Sequence, residues 1–453
     1  MSSFVSPKLI FKIASSYLAD INRLWNFDEE QLKRFQTKRF KEMVSYAYQV
    51  PLYHEKYKKA GVKPNDINSI DDITKLPFIT KDDIRSHFPD KITPRSFDCD
   101  SGFLLSTSGS TGKPMFMYVD RFSAIKSLIA FARILKAYGG SWRTSRVAQI
   151  IDVEPGSAEN AFFVDSAVPI LNRFISLDNI RYLHLGLDPA EIMDNLDRFK
   201  PEYIGTDPNM LRQLADLKNK GLGSNVNPKF LFSSGSMLDP YTKKYVEDVF
   251  DARILDVYGT TEGGPLGFEC LEGDYHLNSD FIYMEILDDE DVAVDFNCAG
   301  HSVITKLYGQ GTPIIRYKGI DDILIPIKNE TSCGITSQMI KQIEGRASEL
   351  IYLSDGSTLS PLAVTGIPAK TMEKFCSFEI KQFQIIQHSI DDIEILVVLG
   401  SIDKTKKQLI IDELSKKFQD KIGPLARVRI SEVDLIQKDS RSDKIKVIVS
   451  KLK

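Results

Sequence analysis

The run Ser106-Thr107-Ser108-Gly109-Ser110-Thr111-Gly112-Lys113-Pro114 has the residue types of a phosphate cradle. Glycines let the backbone fold back and bring N–H groups to an anion, the hydroxyls add donors, and Lys113 adds charge. The spacing excludes the Walker form G-x-x-x-x-G-K-[ST]. Gly109 stands three residues before Gly112, and Pro114 occupies the place of the magnesium-binding hydroxyl. The flanks exclude a solvated Ser/Gly linker: Phe103-Leu104-Leu105 reads as a strand feeding the run, and Met115-Phe116-Met117-Tyr118-Val119 as a strand leaving it. Two further clusters follow apolar segments of strand type. Ser233-Ser234-Gly235-Ser236 comes after Phe230-Leu231-Phe232, and Tyr258-Gly259-Thr260-Thr261-Glu262-Gly263-Gly264 comes after residues 253–257.

The elements that must position these residues follow from periodicity. Residues 31–60 carry a helical pattern that breaks at Val50-Pro51, since proline disfavours helix in the residue before it. Residues 69–73 and 76–81 read as short helices joined by capped turns. Phe122, Ile125, Leu128, Ile129, Ala132 and Leu135 recur at helical spacing and mark one buried face ending near Gly139-Gly140. Strand segments at 147–151, 181–185, 203–205, 230–232 and 253–257 are separated by helical stretches at 189–199, 209–218 and 240–250. This alternation predicts a mainly parallel α/β sheet, whose ligands gather beyond the carboxyl ends of its strands. Residues 280–317 turn β-rich and predict an antiparallel subdomain. Segments 379–387, 393–399, 404–418 and 427–430 predict a small α+β unit.

The chain has 453 residues, 42% hydrophobic and 26% charged, with a net charge of −4. That length suits two or three domains, and the charge argues against a general nucleic-acid binder. Five cysteines, an odd number scattered through the chain, do not form a disulfide framework and favour a reducing compartment, the cytoplasm. The N-terminal residues are too charged to span a membrane, so no transmembrane segment is expected.

The cradle resembles the nucleotide-phosphate loop of the adenylate-forming superfamily, the acyl-CoA synthetases, luciferases and adenylation domains, whose form is close to T-S-G-[ST]-T-G-x-P. Many members follow the proline with lysine, where this chain has Met115; the phenylacetate-CoA ligase branch commonly lacks that lysine too. Val50-Pro51-Leu52-Tyr53, with residues 69–73 and 76–81, is similar to the N-terminal region of phenylacetate-CoA ligases and of the related capsular-polysaccharide proteins. The resemblance implies a large α/β N-terminal lobe with mainly parallel sheets plus a β-rich subdomain at residues 1–345. A small mobile α+β C-terminal lobe would occupy 346–453. It implies nucleotide binding by Ser108, Gly109, Ser110, Thr111, Gly112 and Lys113, by Ser234, Gly235 and Ser236, and by Asp256, Tyr258, Gly259, Thr260, Asp321 and Arg346. Thr261 would contact the α-phosphate and Glu262 would help hold magnesium, an ion for which one carboxylate beside phosphate oxygens is sufficient. Standing alone, Glu262 would read as an acid at a helix N-terminus.

Pro313-Ile314-Ile315-Arg316-Tyr317-Lys318-Gly319-Ile320-Asp321 resembles the family stretch that ends on the acid accepting both ribose hydroxyls, which a carboxylate can do. Asp321 is that acid, with Asp322 a rival one position on. Gly345-Arg346-Ala347-Ser348-Glu349-Leu350-Ile351 resembles the inter-lobe hinge, with Ser348 in place of the usual carboxylate. In Ser440-Arg441-Ser442-Asp443-Lys444-Ile445-Lys446, Lys444 falls on the catalytic lysine and Lys446 is its rival. A lysine there suits the negative charge that builds as carboxylate displaces pyrophosphate. Cys270, His276 and Cys333 resemble parts of a Cys/His zinc site, though Thr331 stands where a fourth ligand is expected; otherwise the two cysteines are ordinary buried thiols.

The implied function is ATP- and magnesium-dependent activation of a small carboxylate as acyl-adenylate. Transfer would follow to an acceptor, either coenzyme A or an amine of a sugar or amino acid, as in capsular polysaccharide biosynthesis. The alternative is a catalytically impaired nucleotide-binding relative with an interaction role, to which Ser348, Asp443 and Thr331 point.

Overall fold

A computed structural model describes residues 7–99, 102–107, 115–153, 160, 177–330, 332–375, 379–437 and 446–452. The break read at Val50-Pro51 separates helix Glu29–Ala47 from helix Pro51–Lys59. Asp28 caps the first through a reciprocal capping box with Gln31. Ser69 and Thr80 cap the 3-10 turn Ile70–Lys75 and helix Lys81–His87. Residues 76–80 are extended instead of helical, because Ile79 exchanges backbone hydrogen bonds with the segment 316–318.

Strands β1 (Gly102–Thr107) and β2 (Met115–Asp120) form an antiparallel pair with Thr107 opposite Met115. These are the strands expected on either side of the cradle. Asp120 then caps helix Arg121–Ala137 by accepting from Ser123 N. That helix buries Ile125, Ile129 and Leu135 as its spacing predicts, while Phe122, Leu128 and Ala132 are half-buried; it also buries Ile134, Lys126 and Arg133, which the pattern does not mark.

The remaining strands of the large lobe are β3 (Val147–Ile151), β4 (Ile180–His184), β5 (Tyr203–Thr206), β6 (Phe230–Ser234), β7 (Arg253–Thr260), β8 (Gly264–Glu269), β9 (Tyr275–Leu277), β10 (Ile282–Leu287), β11 (Gly300–Lys306), β12 (Asp322–Ile327) and β13 (Met339–Arg346). They join in one sheet, ordered β10-β11-β12-β13-β9-β8-β7-β6-β5-β3-β4. From β4 to β7 the neighbours are parallel; from β7 to β10 they are antiparallel. The β-rich region is therefore hydrogen-bonded to the parallel half, and the change of direction falls at the turn Thr260–Gly264. Helices Pro189–Phe199, Pro208–Asn219 and Pro240–Phe250 connect the parallel half. Each begins with proline after a capping aspartate, Asp188, Asp207 or Asp239.

The C-terminal unit begins with the short pair β14 (Ile351–Tyr352) and β15 (Thr358–Leu359). Strands β16 (Ile380–Ser389), β17 (Asp392–Leu399), β18 (Arg427–Glu432) and β19 (Ile448–Ser450) then form a separate sheet ordered β18-β17-β16-β19. Helix Lys404–Ile422 covers it with Ile410, Leu414 and Phe418. The unit packs on the large lobe through Met372 and Ile380: the Tyr241 hydroxyl lies 3.2 Å from Met372 Sδ, and Arg212 donates to the Ile380 carbonyl.

A buried ion network ties the N-terminal helices to this frame. Arg133 donates to both Asp280 oxygens at 2.8 Å and to Asn278 Oδ1 at 2.9 Å, and Arg23 reaches Asp280 Oδ2 at 3.1 Å. Asp20 closes the network by pairing with Arg23 at 2.5 Å and with Lys126. Asp280→Ala would leave Arg133 without a carboxylate, and Arg23 with Asp20 alone, in a low-dielectric interior. The expected loss is about 3–5 kcal/mol of stability in chemical denaturation, and a loss under about 1 kcal/mol would contradict a desolvated network.

Candidate active site

Strand β7 ends in the turn that reverses the sheet. Gly264 holds a φ of +74°, and a Cβ there would lie 3.3 Å from Ser127 Oγ, so glycine suits both backbone and space. Gly263 N donates to Thr260 Oγ1 at 2.9 Å, closing the turn. Glu262 is consequently buried, with its Oε1 accepting from the Tyr317 hydroxyl at 3.1 Å and lying 3.9 Å from Lys81 Nζ. Burial, reinforced by the Glu262 charge, pushes the Tyr317 phenol far up, so it remains a donor. The same hydroxyl is 3.4 Å from Met115 Sδ, which brings Glu262 to the first described residue after the cradle. Lys306 is buried at the end of β11; desolvation lowers its ammonium to about 8 against the opposing pull of Asp120 and Glu262.

A second acidic cluster sits at the start of β12. Tyr258 donates to Asp322 Oδ2 at 2.8 Å, and Asp322 stands opposite Arg346 across the β12–β13 pair. Burial raises the Asp322 carboxyl, opposed by the Tyr258 hydrogen bond and Arg346. Asp321 receives Ser348 N on Oδ2 at 3.0 Å and Ala347 N on its carbonyl at 2.7 Å. Glu349 is also raised by burial, opposed first by Arg346; Lys446 acts on it as well, which places Lys446 at this cluster.

A third group lies apart from these two. Cys270, His276 and Cys333 bring their ligand atoms within 4.8 Å of one another. His276 Nδ1 is 2.9 Å from Ser337 Oγ, while its buried Nε2 has no hydrogen-bond partner among the described residues.

No family model matches the sequence. The chain is 22% identical over 418 residues to protein CapK of Staphylococcus aureus, covering 90% of this chain and 86% of that one. It is 24% identical over 422 residues to the phenylacetate-coenzyme A ligase of Pseudomonas putida, covering 88% and 90%. Among solved structures it matches 2-hydroxyisobutyryl-CoA ligase in the postadenylation state with a TM-score of 0.78, at 21% identity and 94% and 91% coverage. The chain has the fold of an adenylate-forming CoA ligase. The same ligase in its thioesterification state matches with a TM-score of 0.63.

Within this adenylate-forming fold, Thr260, Thr261, Glu262, Tyr258 and Gly259 share the reversal turn and its strand. Ser234 ends the neighbouring strand β6, where it pairs with Val257, and Gly235 and Ser236 follow it. Ser108, Gly109, Ser110, Thr111, Gly112, Lys113 and Lys444 lie outside the described residues, as do Thr331 and Asp443. Asp256 is buried. Its Oδ2 accepts from Tyr275 at 2.8 Å, and its backbone N donates to Glu269, which pairs with Lys243 at 2.5 Å.

Sequence reading missed Tyr317, Lys81 and Lys306. Tyr317 lies inside the stretch that ends on Asp321, and Lys81 closes the series at 76–81, so both stood within noticed segments. Nothing in the sequence marks Lys306.

Burial raises the Asp256 carboxyl from 3.8 to about 6, so the fold favours its protonated form. That contribution is fully present below pH 4 and is lost as pH rises through about 6. Asp256→Asn should therefore unfold later than the native chain near pH 8, by on the order of 2 kcal/mol, and match it near pH 3.5. Equal stability at both pH values would show the carboxyl to be solvated.

Proposed function

We propose that this chain activates a carboxylic acid with ATP. A carboxylate oxygen attacks the α-phosphorus and pyrophosphate leaves, giving an acyl-adenylate; an acceptor nucleophile then displaces AMP. The observation that carries this reading is the Glu262 carboxylate, buried at the sheet-reversal turn, oriented by Tyr317 and adjacent to the strand leaving the phosphate cradle.

Glu262 fits a magnesium ion, being a hard oxygen donor with Lys81 near enough to limit its charge when no cation is bound. Bound there, magnesium would neutralise phosphate charge. Ser108 to Lys113 would cradle the phosphates, and Thr261 would meet the α-phosphate. Asp321 is the better ribose acid, because its carboxylate lies at an exposed contact while Asp322 is desolvated and engaged by Tyr258. We assign Asp256 a structural part instead of a nucleotide contact. Residues 346–349 would serve as the hinge between lobes 1–345 and 346–453, with Lys444 carried in for adenylation and out for transfer.

The acceptor is coenzyme A or an amine. Phenylacetate-coenzyme A ligase among the relatives favours the thiol, and a place in polysaccharide modification rests on CapK. No helix among the described residues is long and apolar enough to cross a membrane. The free thiols Cys99, Cys270 and Cys298 suit a reducing cytoplasm.

Exchange of radioactive pyrophosphate into ATP across a panel of aromatic, short fatty, amino and uronic acids tests the first step. At least one acid should support exchange, and silence from all of them would overturn the reading. Glu262→Gln and Lys444→Ala should each lower exchange roughly 100- to 1,000-fold. A silent Lys444→Ala beside an inactive Lys446→Ala would move the lysine's role two residues along.

Cys270, His276 and Cys333 would together hold a structural zinc ion, a donor set it prefers, with the unpartnered His276 Nε2 as the nitrogen ligand. Metal analysis of the purified chain should find about one zinc per chain, and Cys270→Ser should lose it and melt earlier. A metal-free chain with unchanged melting would remove this site.

A further inference from the structure

Lys306 is the one feature beside the reversal turn that the adenylation reading leaves without work. Alternate residues of a strand share a face, and the face of β11 that carries Ile304 lies against the turn: a Cβ on Gly263 would meet Ile304 Cδ1 at 3.0 Å. Lys306 is the next residue on that face. Beyond it the Tyr308 hydroxyl stands 3.6 Å from the Cβ position of Gly264, and the Lys306 ammonium lies over the Tyr308 ring at 5.0 Å. Lys306, Glu262, Ser123 and Tyr308 line a common cavity of about 10 Å³, room for a single oxygen-sized group.

Only 8% of Lys306 is exposed, yet its ammonium makes no hydrogen bond or ion pair with any described residue. The other buried cations nearby are satisfied: Lys126 by Asp20, Arg133 by Asp280 and Arg316 by Glu285. The two carboxylates near Lys306 already have other partners. Asp120 accepts from Ser123 and Gln310, and Glu262 accepts from Tyr317. A desolvated ammonium without its own anion is unfavourable. Placed beside a site for anionic substrates, it suits a partner that arrives with the substrate.

We propose that Lys306 is an anion-recognition residue of this site, its ammonium taking a carboxylate or phosphate oxygen of a bound substrate. This rests on the adenylation reading above. Two sources offer that chemistry: a second, distal carboxylate on the acid, or the polyphosphate of the nucleotide. With the first source, the preferred acids would be dicarboxylates or similarly anionic acids.

The test uses the full chain with Lys306→Met, which keeps length and removes charge, and Lys306→Arg, which keeps charge. Magnesium-ATP affinity is measured by calorimetry. Pyrophosphate exchange is measured with acid pairs that differ by one distal carboxylate, such as butyrate with succinate and phenylacetate with its para-carboxyl derivative. Loss of one charge-assisted hydrogen bond corresponds to roughly 10- to 100-fold.

If the oxygen belongs to the acid, the native chain prefers the dicarboxylate, and Lys306→Met reduces that preference by this factor with ATP affinity unchanged. If it belongs to the nucleotide, Lys306→Met weakens ATP by the same factor and leaves the acid preference alone. In either case Lys306→Arg restores most of the effect, and Lys306→Met melts no lower than the native chain. Unchanged ATP affinity together with unchanged acid preference overturns the proposal. Should the native chain exchange with no acid, the adenylation reading fails by itself, and equal ATP affinity of native chain and Lys306→Met then overturns this inference separately.

Discussion

The guanidinium of Arg316 is where the N-terminal segment, the antiparallel half of the sheet and the reversal turn are joined. Its Nε lies 3.2 and 3.3 Å from the two Glu285 oxygens, and its Nη1 donates to the carbonyls of Thr74 and Leu76 at 3.1 and 2.7 Å. It also stacks on Phe78 at 4.1 Å. These partners hold the residue at a φ of 47°, a left-handed conformation that a long side chain seldom adopts. The backbone is held as firmly, since its N donates to Thr305 Oγ1 at 2.9 Å and its carbonyl accepts from Ile79 N at 3.0 Å. Tyr317 follows directly, and its hydroxyl meets Glu262. Five donors in a fixed plane can satisfy several acceptors at once, which a lysine at this position could not. The position of Glu262 thus depends on a residue that does not touch it.

The reversal of strand direction explains why the polar residues gather where they do. A parallel half leaves the ends of β6 and β7 open at one edge, as doubly wound sheets do. Here β8 turns back immediately, so the face of β11 and the start of β12 close over that edge. Tyr258 consequently reaches Asp322, Asp322 faces Arg346, and the backbone of Ala347 and Ser348 closes on Asp321. The proposed ribose acid and the proposed hinge are then neighbours. A rotation about residues 346–349 would be felt at Asp321 through two hydrogen bonds, from Ala347 N and Ser348 N.

Buried charge in the large lobe is otherwise compensated. Arg133, Arg23, Asp20, Lys126 and Asp280 form one network, and each member meets an opposite charge within it. Asp256 is relieved by a raised pKa and by Tyr275. Lys306 has no such relief among the described residues, and it differs from the others in bordering the site.

What the sequence determined alone is local in its physics. Helix breaks at Val50-Pro51, aspartate-proline helix starts, alternating strand and helix segments and the strands on either side of the cradle depend on nearby residues, and all are present in the fold. The short motifs around Glu262 and Asp321 stood out only by resemblance to a family's motifs, since Glu262 taken alone reads as an acid at a helix N-terminus. Tertiary structure alone decided which distant residues complete them. Tyr317 and Lys81 reach Glu262 only because Ile79 pairs with Tyr317 across more than two hundred residues of chain. Asp256, a nucleotide contact by resemblance, is buried and accepts from Tyr275, a partner no local pattern shows. Lys306 was invisible, since one lysine among many carries no periodic signal; its burial beside carboxylates that other groups already engage is a property of the packing around it, and packing is set by contacts that no local pattern records.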